Sequence, residues 1–415
     1  MGVLAIVAEY NPFHLGHKYH LEHSKSLTNA NYSIAIISGS FVQRGEPSLV
    51  DKWTKSKMAI DNGIDLVIEL PFIFSTQSAE LFAFGSVSLL NSLNIVNYIS
   101  FGSELGDLKP LQEIANILVK EPPFFKEKLK EYLNLGNSYA VSRSNALEDY
   151  YKILESNTIN SNNIQEILKM SNNILAIEYL KSLQILNSNI EPITIKRIGS
   201  SYKENTLDNK ISSATGIRNA LFSQKIDSVQ EYLPNESYKH LINYINNYNN
   251  FNTLDNYTQI IHYLLRINGE NDLKDIMDVE TGLENRIVNK AYKYKNIEDL
   301  VNKISTKRYA KTRIQRIFIH LMAGLDKWTF YKLLPYHPTY IRVLGANDKG
   351  VFLLKKIKEK SNVPIITKFS HFKKYNNPHL NKIISFDKKS TDLYFLGIDD
   401  LYMNMDYYTS PYIKN

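Results

Sequence analysis

The stretch at residues 2–20, GVLAIVAEYNPFHLGHKYH, constrains the chain more than any other. An apolar run breaks at Asn11 and Pro12, and the chain resumes as HLGH from His14 to His17. This reads as a strand, a sharp turn and a helix N-terminus that carries two imidazoles. The first turn of a helix presents unpaired N–H groups and a partial positive charge, which favour an anion such as a phosphate. His14 and His17 are spaced to share one helix face, and Gly16 between them lets a ligand approach the backbone closely. A buried strand followed by a helix with surface histidines fits the same letters. The position in the first twenty residues, the strand context and Gly16 together favour a nucleotide site.

A short continuous apolar run at residues 32–38 (YSIAIIS) has the pattern of a strand buried in a parallel sheet, and 65–70 (DLVIEL), 95–101 (IVNYISF) and 192–198 (PITIKRI) read as further strands. Helices are expected between them at 14–27, at 51–61 with Asp51 as cap and Gly63 as stop, and at 78–93. The alternation predicts an α/β fold: a doubly wound parallel-sheet domain with right-handed crossovers. Ligands of such sheets bind beyond the carboxyl ends of the strands, where His14, Gly39 and Gly102 fall. Residues 110–187 read as largely helical, with Ser171 or Asn172 capping a helix over 171–183. At 211–222 (ISSATGIRNALF) a hydroxyl-rich turn opens another helix. Ser212, Ser213 and Thr215 could cap it or donate to a phosphate, and Arg218 lies near the same turn.

From about 227 to 334 the pattern is helical without a convincing strand. Within it TKRYAKTRIQRIFIH carries Lys307, Arg308, Lys311, Arg313 and Arg316 around Tyr309, the densest run of positive charge in a chain of net charge +7. A charge run alone is usually a solvated face. With no acid inside the stretch and an aromatic interleaved, nucleic-acid binding is an equal reading. Residues 337–345, 348–359 and 363–368 read as strand, helix and strand, a small α/β appendage on the helical part. The expected division is therefore 1–225 for the nucleotide domain, 226–335 for the helical domain and 336–415 for the C-terminal part. The absence of cysteine excludes disulfides, zinc–thiolate sites and cysteine nucleophiles. No apolar run reaches the roughly 18 residues of a membrane span, and the start lacks a basic signal region, so a cytoplasmic location is the expectation.

Taken together, EYNPFHLGH and SATGIR resemble the two-part signature of the HxGH nucleotidyltransferases. Adding SGSFVQRGEP, DLVIELP, FGSE, SNNILAIEYL, KRIGS and TKRYAKTRIQR, the chain resembles the bacterial tRNA(Met) cytidine acetate ligase family from residue 5 to about 345. The resemblance implies that ATP and acetate give acetyl-adenylate, and that the acetyl group then passes to the wobble cytidine of elongator tRNA(Met) as N4-acetylcytidine. It implies an ATP site made of Val7, Ala8, Glu9, Tyr10, Asn11, Pro12, Phe13, His14, Leu15, Gly16, His17, Lys18, Tyr19 and His20, with Gly102, Asn172 or Asn173, and Arg197. Ser213, Thr215 and Arg218 join that site. His14 and His17 are the expected catalytic pair, and Lys307, Arg308, Lys311, Arg313 and Arg316 the expected tRNA contacts. Two departures from the family pattern, Ser171 for proline and Ala176 for glycine, touch backbone geometry and remove no polar group. A divalent cation such as Mg2+ commonly accompanies ATP, yet no carboxylate cluster here has ligand spacing. No membrane and no obligate protein partner are implied. A small-molecule adenylyltransferase of cofactor biosynthesis and a non-catalytic RNA-binding protein of the same fold are the competing readings.

Overall fold

The computed structural model describes residues 2–154, 164–197, 212–398 and 403–414. Its first part runs β1 (Val3–Ala8), α1 (Leu15–Thr28), β2 (Tyr32–Ser38), α2 (Lys52–Asp61), β3 (Leu66–Leu70), α3 (Phe72–Ser75), α4 (Ala79–Ser92) and β4 (Tyr98–Ser103). A helical excursion follows, α5 (Leu108–Lys120), α6 (Pro123–Asn134), α7 (Tyr139–Leu154), α8 (Ile164–Lys169) and α9 (Ser171–Ile185), before β5 (Glu191–Lys196) and α10 (Ala214–Phe222). Ile198 and Gly199, expected to end the fifth strand, and Ile211, expected to open the hydroxyl-rich turn, lie outside the described residues, as do 155–163 of the expected helical stretch.

Strands β1 to β5 pair in parallel in the order β5-β4-β1-β2-β3. The chain moves from β1 to β2 and β3 on one side and later to β4 and β5 on the other, so the topological switch point lies between β1 and β4. The doubly wound α/β expectation holds. Val3, Leu4, Ala5, Ile34, Ile36, Leu66 and Ile68 are fully buried, which is why these strands read as continuous apolar runs. Asp51 caps α2 as expected, accepting from the backbone N–H of Trp53 and Thr54.

The helical part comprises α11 (Asn235–Tyr248), α12 (Thr258–Leu273), α13 (Leu283–Ala291), α14 (Ile297–Ile304), α15 (Lys311–Ala323) and α16 (Lys327–Leu333). The remainder is β6 (Ile341–Asn347), α17 (Asp348–Lys360), β7 (Ile365–Ile366), α18 (Pro378–Leu396), α19 (Met405–Tyr408) and β8 (Tyr412–Lys414). The expectation of a separate appendage packed on the helical part is corrected. Strand β6 joins β3 antiparallel, and β7 and β8 flank β6, so the C-terminal strands extend the main sheet to eight. The buried run from Ile341 to Ala346 needs ladder partners for its backbone, and the free edge of β3 supplies them. Beneath this junction Lys52 of α2, fully buried, bridges Glu69 of β3 at 2.9 Å and Asp406 of α19 at 2.8 Å. Arg342 of β6 stands 3.7 Å from Asp406. Charges taken out of water persist only when paired, so this cluster ties the C-terminal segment to α2 and β3. No helix among the described residues is long and apolar enough to cross a membrane.

Candidate nucleotide site

The site forms where β1 ends. Tyr10 adopts a left-handed φ of 47°, and Tyr10, Asn11, Pro12 and Phe13 are buried, which turns the chain sharply into α1 with His14 as its N-cap. The Gly16 N–H donates to Nδ1 of His14 at 3.0 Å, and the His14 N–H donates to Nδ1 of His17 at 3.2 Å. The two imidazoles thus fill the reciprocal roles of a capping box. Their rings stack with centroids 3.8 Å apart, and His17 also meets Tyr10 edge-on at 4.9 Å.

This capping fixes the tautomers. Because each Nδ1 accepts a backbone N–H, the single proton of each neutral ring sits on Nε2. Burial, with Arg197 and Arg218 adding to it, pushes the His14 pKa down to about 3. Burial and the neighbouring His14 hold His17 well below its ordinary value. Both rings are therefore neutral N–H donors at pH 7. His20 continues the same face but is occupied, its Nε2 2.8 Å from Oγ of Ser100 on β4, and burial brings its pKa to about 4. Tyr19 stacks on His23 with centroids 5.5 Å apart, while Leu15, Gly16 and Lys18 lie half-buried on the first turns.

On the β4 and β5 side, Arg197 follows β5. Gly102 of β4 leaves room for it: a Cβ there would stand 3.1 Å from Cγ of Arg197. Nη1 of Arg197 donates to Oδ1 of Asn172 at 3.4 Å. The neighbouring asparagines separate in role. Asn173 is buried, accepting the Leu105 N–H at 3.1 Å and donating to the Ile167 carbonyl at 3.2 Å, whereas Asn172 shares the surface of Arg197. Neither Ser171 nor Asn172 caps α9, whose N-cap is Met170 with no side-chain bond. The carboxylate of Glu104, from the loop after β4, accepts the N–H groups of Asn172 at 3.3 Å and Asn173 at 2.9 Å instead. With that external cap α9 is regular through Ser171 and Ala176.

Behind the histidines, Ser213 caps α10 by accepting the Gly216 N–H at 3.1 Å, and Thr215 accepts from Nη2 of Arg218 at 3.4 Å. The Ser212 hydroxyl is buried without a partner among the described residues. Arg218 is buried, donates from Nη1 to the Asn11 carbonyl at 3.0 Å and stands 3.6 Å from Glu46. Val7 and Ala8 complete β1, paired with Ile36 and Ile37. The loop at 40–49 folds over this end of β1. Glu9 accepts the Gln43 N–H at 2.9 Å, and Asn11 accepts the Leu49 N–H at 2.7 Å. Lys55, missed in the sequence because its partners are backbone carbonyls of distant segments, is buried beneath that loop. It donates to the carbonyls of Ser38 at 2.6 Å, Gly39 at 2.8 Å and Glu9 at 3.3 Å, and burial lowers its pKa to about 7.

The basic run contains no acid of its own, but acids from elsewhere in the chain pair with most of its cations. Arg308 pairs with Glu280 at 3.1 Å, Arg313 with Glu280 at 2.8 Å, Arg316 with Asp278 at 2.7 Å and Lys311 with Glu298 at 3.8 Å. The partners arrive from the segment before α13 and from α14, beyond the reach of any local reading. Arg316 is buried and Arg313 also donates to the Asp278 carbonyl, whereas Lys307, Arg308 and Lys311 remain exposed. Among the described residues no group of three or more histidines and carboxylates converges as a metal site.

Known proteins resemble this chain over its whole length. The HIGH Nucleotidyl Transferase family model matches residues 1–406. A tRNA(Met) cytidine acetate ligase of Thermoanaerobacter sp. (strain X514) is 47% identical over 398 residues, covering 96% of each chain. One of Clostridium perfringens (strain SM101 / Type A) is 42% identical over 414 residues, covering 100% of both. The structure of Thermotoga maritima TmcAL without ligand superposes with a TM-score of 0.95 at 33% identity, over 100% of this chain and 99% of that one. The same protein bound with alpha-thio ATP gives 0.93 at 32%, with the same coverage. At this identity and coverage, the chain belongs to the tRNA(Met) cytidine acetate ligase family of HIGH nucleotidyl transferases.

Proposed function

We propose that this chain activates acetate with ATP and transfers the acetyl group to N4 of the wobble cytidine of elongator tRNA(Met). The observation that carries this reading is the pair of neutral imidazoles, His14 and His17, held by their own backbone so that both Nε2–H groups are available at a helix N-terminus beside Arg197. An acetate oxygen attacks the α-phosphorus of ATP, the α–β bridging bond breaks, and pyrophosphate leaves with its electron pair. Charge builds on the phosphate oxygens in that transition state, and fixed N–H donors stabilise it without reorganising. Arg197 and Asn172 hold phosphate or pyrophosphate oxygens on one flank. Arg218 braces the Asn11 turn from behind, and Ser213 and Thr215 order the turn that delivers it. A divalent cation would be held by the phosphates in this reading, since among the described residues no protein cluster converges for one.

In the second step N4 of cytosine attacks the mixed-anhydride carbonyl, AMP leaves, and N4 loses a proton. The base must first leave its stack. No protein nucleophile is needed, which suits a chain without cysteine. Residues 226–335 supply the RNA-facing surface in this reading, with Lys307, Arg308 and Lys311 as its exposed cations. ATP–pyrophosphate exchange tests the activity. Exchange that depends on acetate, followed by N4-acetylcytidine in tRNA(Met), is expected. Exchange supported by nicotinamide mononucleotide or phosphopantetheine would make the chain a cofactor adenylyltransferase, and RNA binding without exchange would make it a binding module.

A further inference from the structure

The loop at 40–49 carries a cation for which the nucleotide step has no use. Arg44 lies at the tip of this loop and is exposed. Among the described residues it has no side-chain hydrogen bond, and no carboxylate lies within ion-pair distance of it. The loop that bears it is cross-linked by backbone hydrogen bonds. The Val42 N–H donates to the Glu46 carbonyl and the Gly45 N–H to the Val42 carbonyl, both at 2.9 Å, and Ser48 donates to the Ser40 carbonyl at 2.9 Å. On either side of Arg44 the loop is fastened to the nucleotide corner, by Gln43 to Glu9 and by Glu46 to Arg218. Arg44 is close enough to Arg218 for its charge to bear on that guanidinium. Arg218 is matched by Glu46 at 3.6 Å, which leaves Arg44 as the unpaired cation of the two and favours an anionic occupant at its guanidinium.

The position of Arg44 says which anion. Gly102, Asn172 and Arg197 lie on the β4 and β5 flank of β1, whereas the loop at 40–49 follows β2 on the opposite flank. A nucleotide held on the first flank leaves the second for the group that reacts with it. The loop also touches the helix whose approach carries the exposed Lys307, Arg308 and Lys311. Gly45, at φ 76°, lies so close to α15 that a Cβ would stand 2.3 Å from the Arg316 backbone nitrogen, and Gln315 reaches Glu46 at 3.4 Å. The loop that carries Arg44 therefore joins α15 to the turn that bears His14, through Gly45 and Glu46 on one side and Gln43 on the other. We propose that Arg44 binds a backbone phosphate of the RNA substrate next to the reacting cytidine, and so positions the base for acetyl transfer. A guanidinium suits this role because it holds a phosphate in two parallel hydrogen bonds. The proposal rests on the functional reading above in taking RNA as the acceptor.

The test uses the full chain and an unmodified tRNA(Met) transcript, with R44A and R44K. Binding is measured across a salt series without ATP or acetate, so its outcome stands apart from the exchange assay that decides the functional reading. The R44A variant should bind roughly 10-fold more weakly, the loss of one charge-assisted contact, and its slope of log K against log salt should fall by about one. Its KM for tRNA should rise with kcat for acetylation reduced less, R44K should restore the salt slope but only part of the KM, and acetate-dependent exchange without RNA should be retained. An unchanged affinity and slope in R44A overturns the proposal. So does a loss of exchange in R44A that follows a raised KM for acetate or ATP, which would place Arg44 in the first step.

Discussion

Nη1 of Arg218 donates to the backbone carbonyl of Asn11 across 207 residues of sequence, at 3.0 Å, so the distal SATGIR turn and the opening EYNPFHLGH turn are one mechanical unit. The guanidinium is buried and also touches Thr215 and Glu46. Its charge contributes to keeping His14 unprotonated. An Arg218→Lys substitution preserves charge and loses the forked geometry, leaving the Asn11 carbonyl or Glu46 without its partner. A hydrogen bond from a charged donor contributes about 1.5–3 kcal/mol, so the melting midpoint should fall and acetate-dependent exchange should drop roughly 10- to 100-fold. Unaltered exchange and stability would show that the two turns hold their places independently.

The two nitrogens of His17 can be separated by substitution. Asparagine places an acceptor where Nδ1 lies and can keep the bond from the His14 N–H, whereas glutamine places a donor near Nε2 and gives up the cap. His17→Asn should therefore stay within about 1 kcal/mol of the parent in urea unfolding, the size of a helix cap, while exchange falls roughly 100- to 1000-fold, the size of a lost transition-state donor. His17→Gln should reverse the order, less stable and more active than His17→Asn. Equal activities for the two variants would deny Nε2 the role of donor.

The depressed histidine pKa values set an acid limit to stability. His14, about 3 in the fold, and His20 and His337, about 4, all lie below the roughly 6.5 of an unfolded chain. Between those values the unfolded state binds more protons than the fold, so stability rises with pH there. The contribution is complete above about pH 6.5 and is lost as pH falls toward 4, at up to about 1.4 kcal/mol per pH unit for each histidine. Urea midpoints should be level from pH 7 to 8 and decline steadily below pH 6. Replacing His337 with glutamine should make that decline shallower; an unchanged slope would mean its ring is protonated in the fold. Exchange activity, depending on neutral rings, should not show a histidine titration between pH 6 and 8.

The first four strands were legible because each is a largely apolar run closed by a turn signal, β5 as a shorter, half-buried run at the sheet edge, and HLGH because it stands at the carboxyl end of the first strand. What escaped reading has a common physical origin in long-range pairing. Nothing local marks Lys52 and Lys55 of α2, yet both are fully buried because Glu69, Asp406 and three carbonyls receive them. The acids that neutralise Arg308, Arg313 and Arg316 lie about thirty residues upstream, so no local window contains them. Helix α18 hides its buried face by mixing Ile383 and Ile384 with Asp387, Ser390 and Thr391, which blurs the apolar stripe. Glu104 caps a helix from a strand loop 68 residues earlier, a role that no N-cap pattern announces.

Gly45 offers a test of whether the helical part acts on the nucleotide corner through the loop at 40–49. Its φ of 76° lies in the left-handed region, and a Cβ would collide with the α15 backbone at the Arg316 nitrogen, 2.3 Å, and at the Gln315 carbonyl carbon, 2.7 Å. Backbone cannot yield as a side chain can, so Gly45→Ala must lift the loop off α15 in addition to the strain of a non-glycine residue at that φ, together about 1–3 kcal/mol. The loop is fastened at Gln43 and Leu49 to Glu9 and Asn11, so the displacement should reach the turn that carries His14. Acetylation of tRNA is expected to fall more than acetate-dependent exchange, because the RNA-facing surface and the loop lose their register first. A variant that loses stability while the two activities decline by the same factor would show that the loop serves the fold alone.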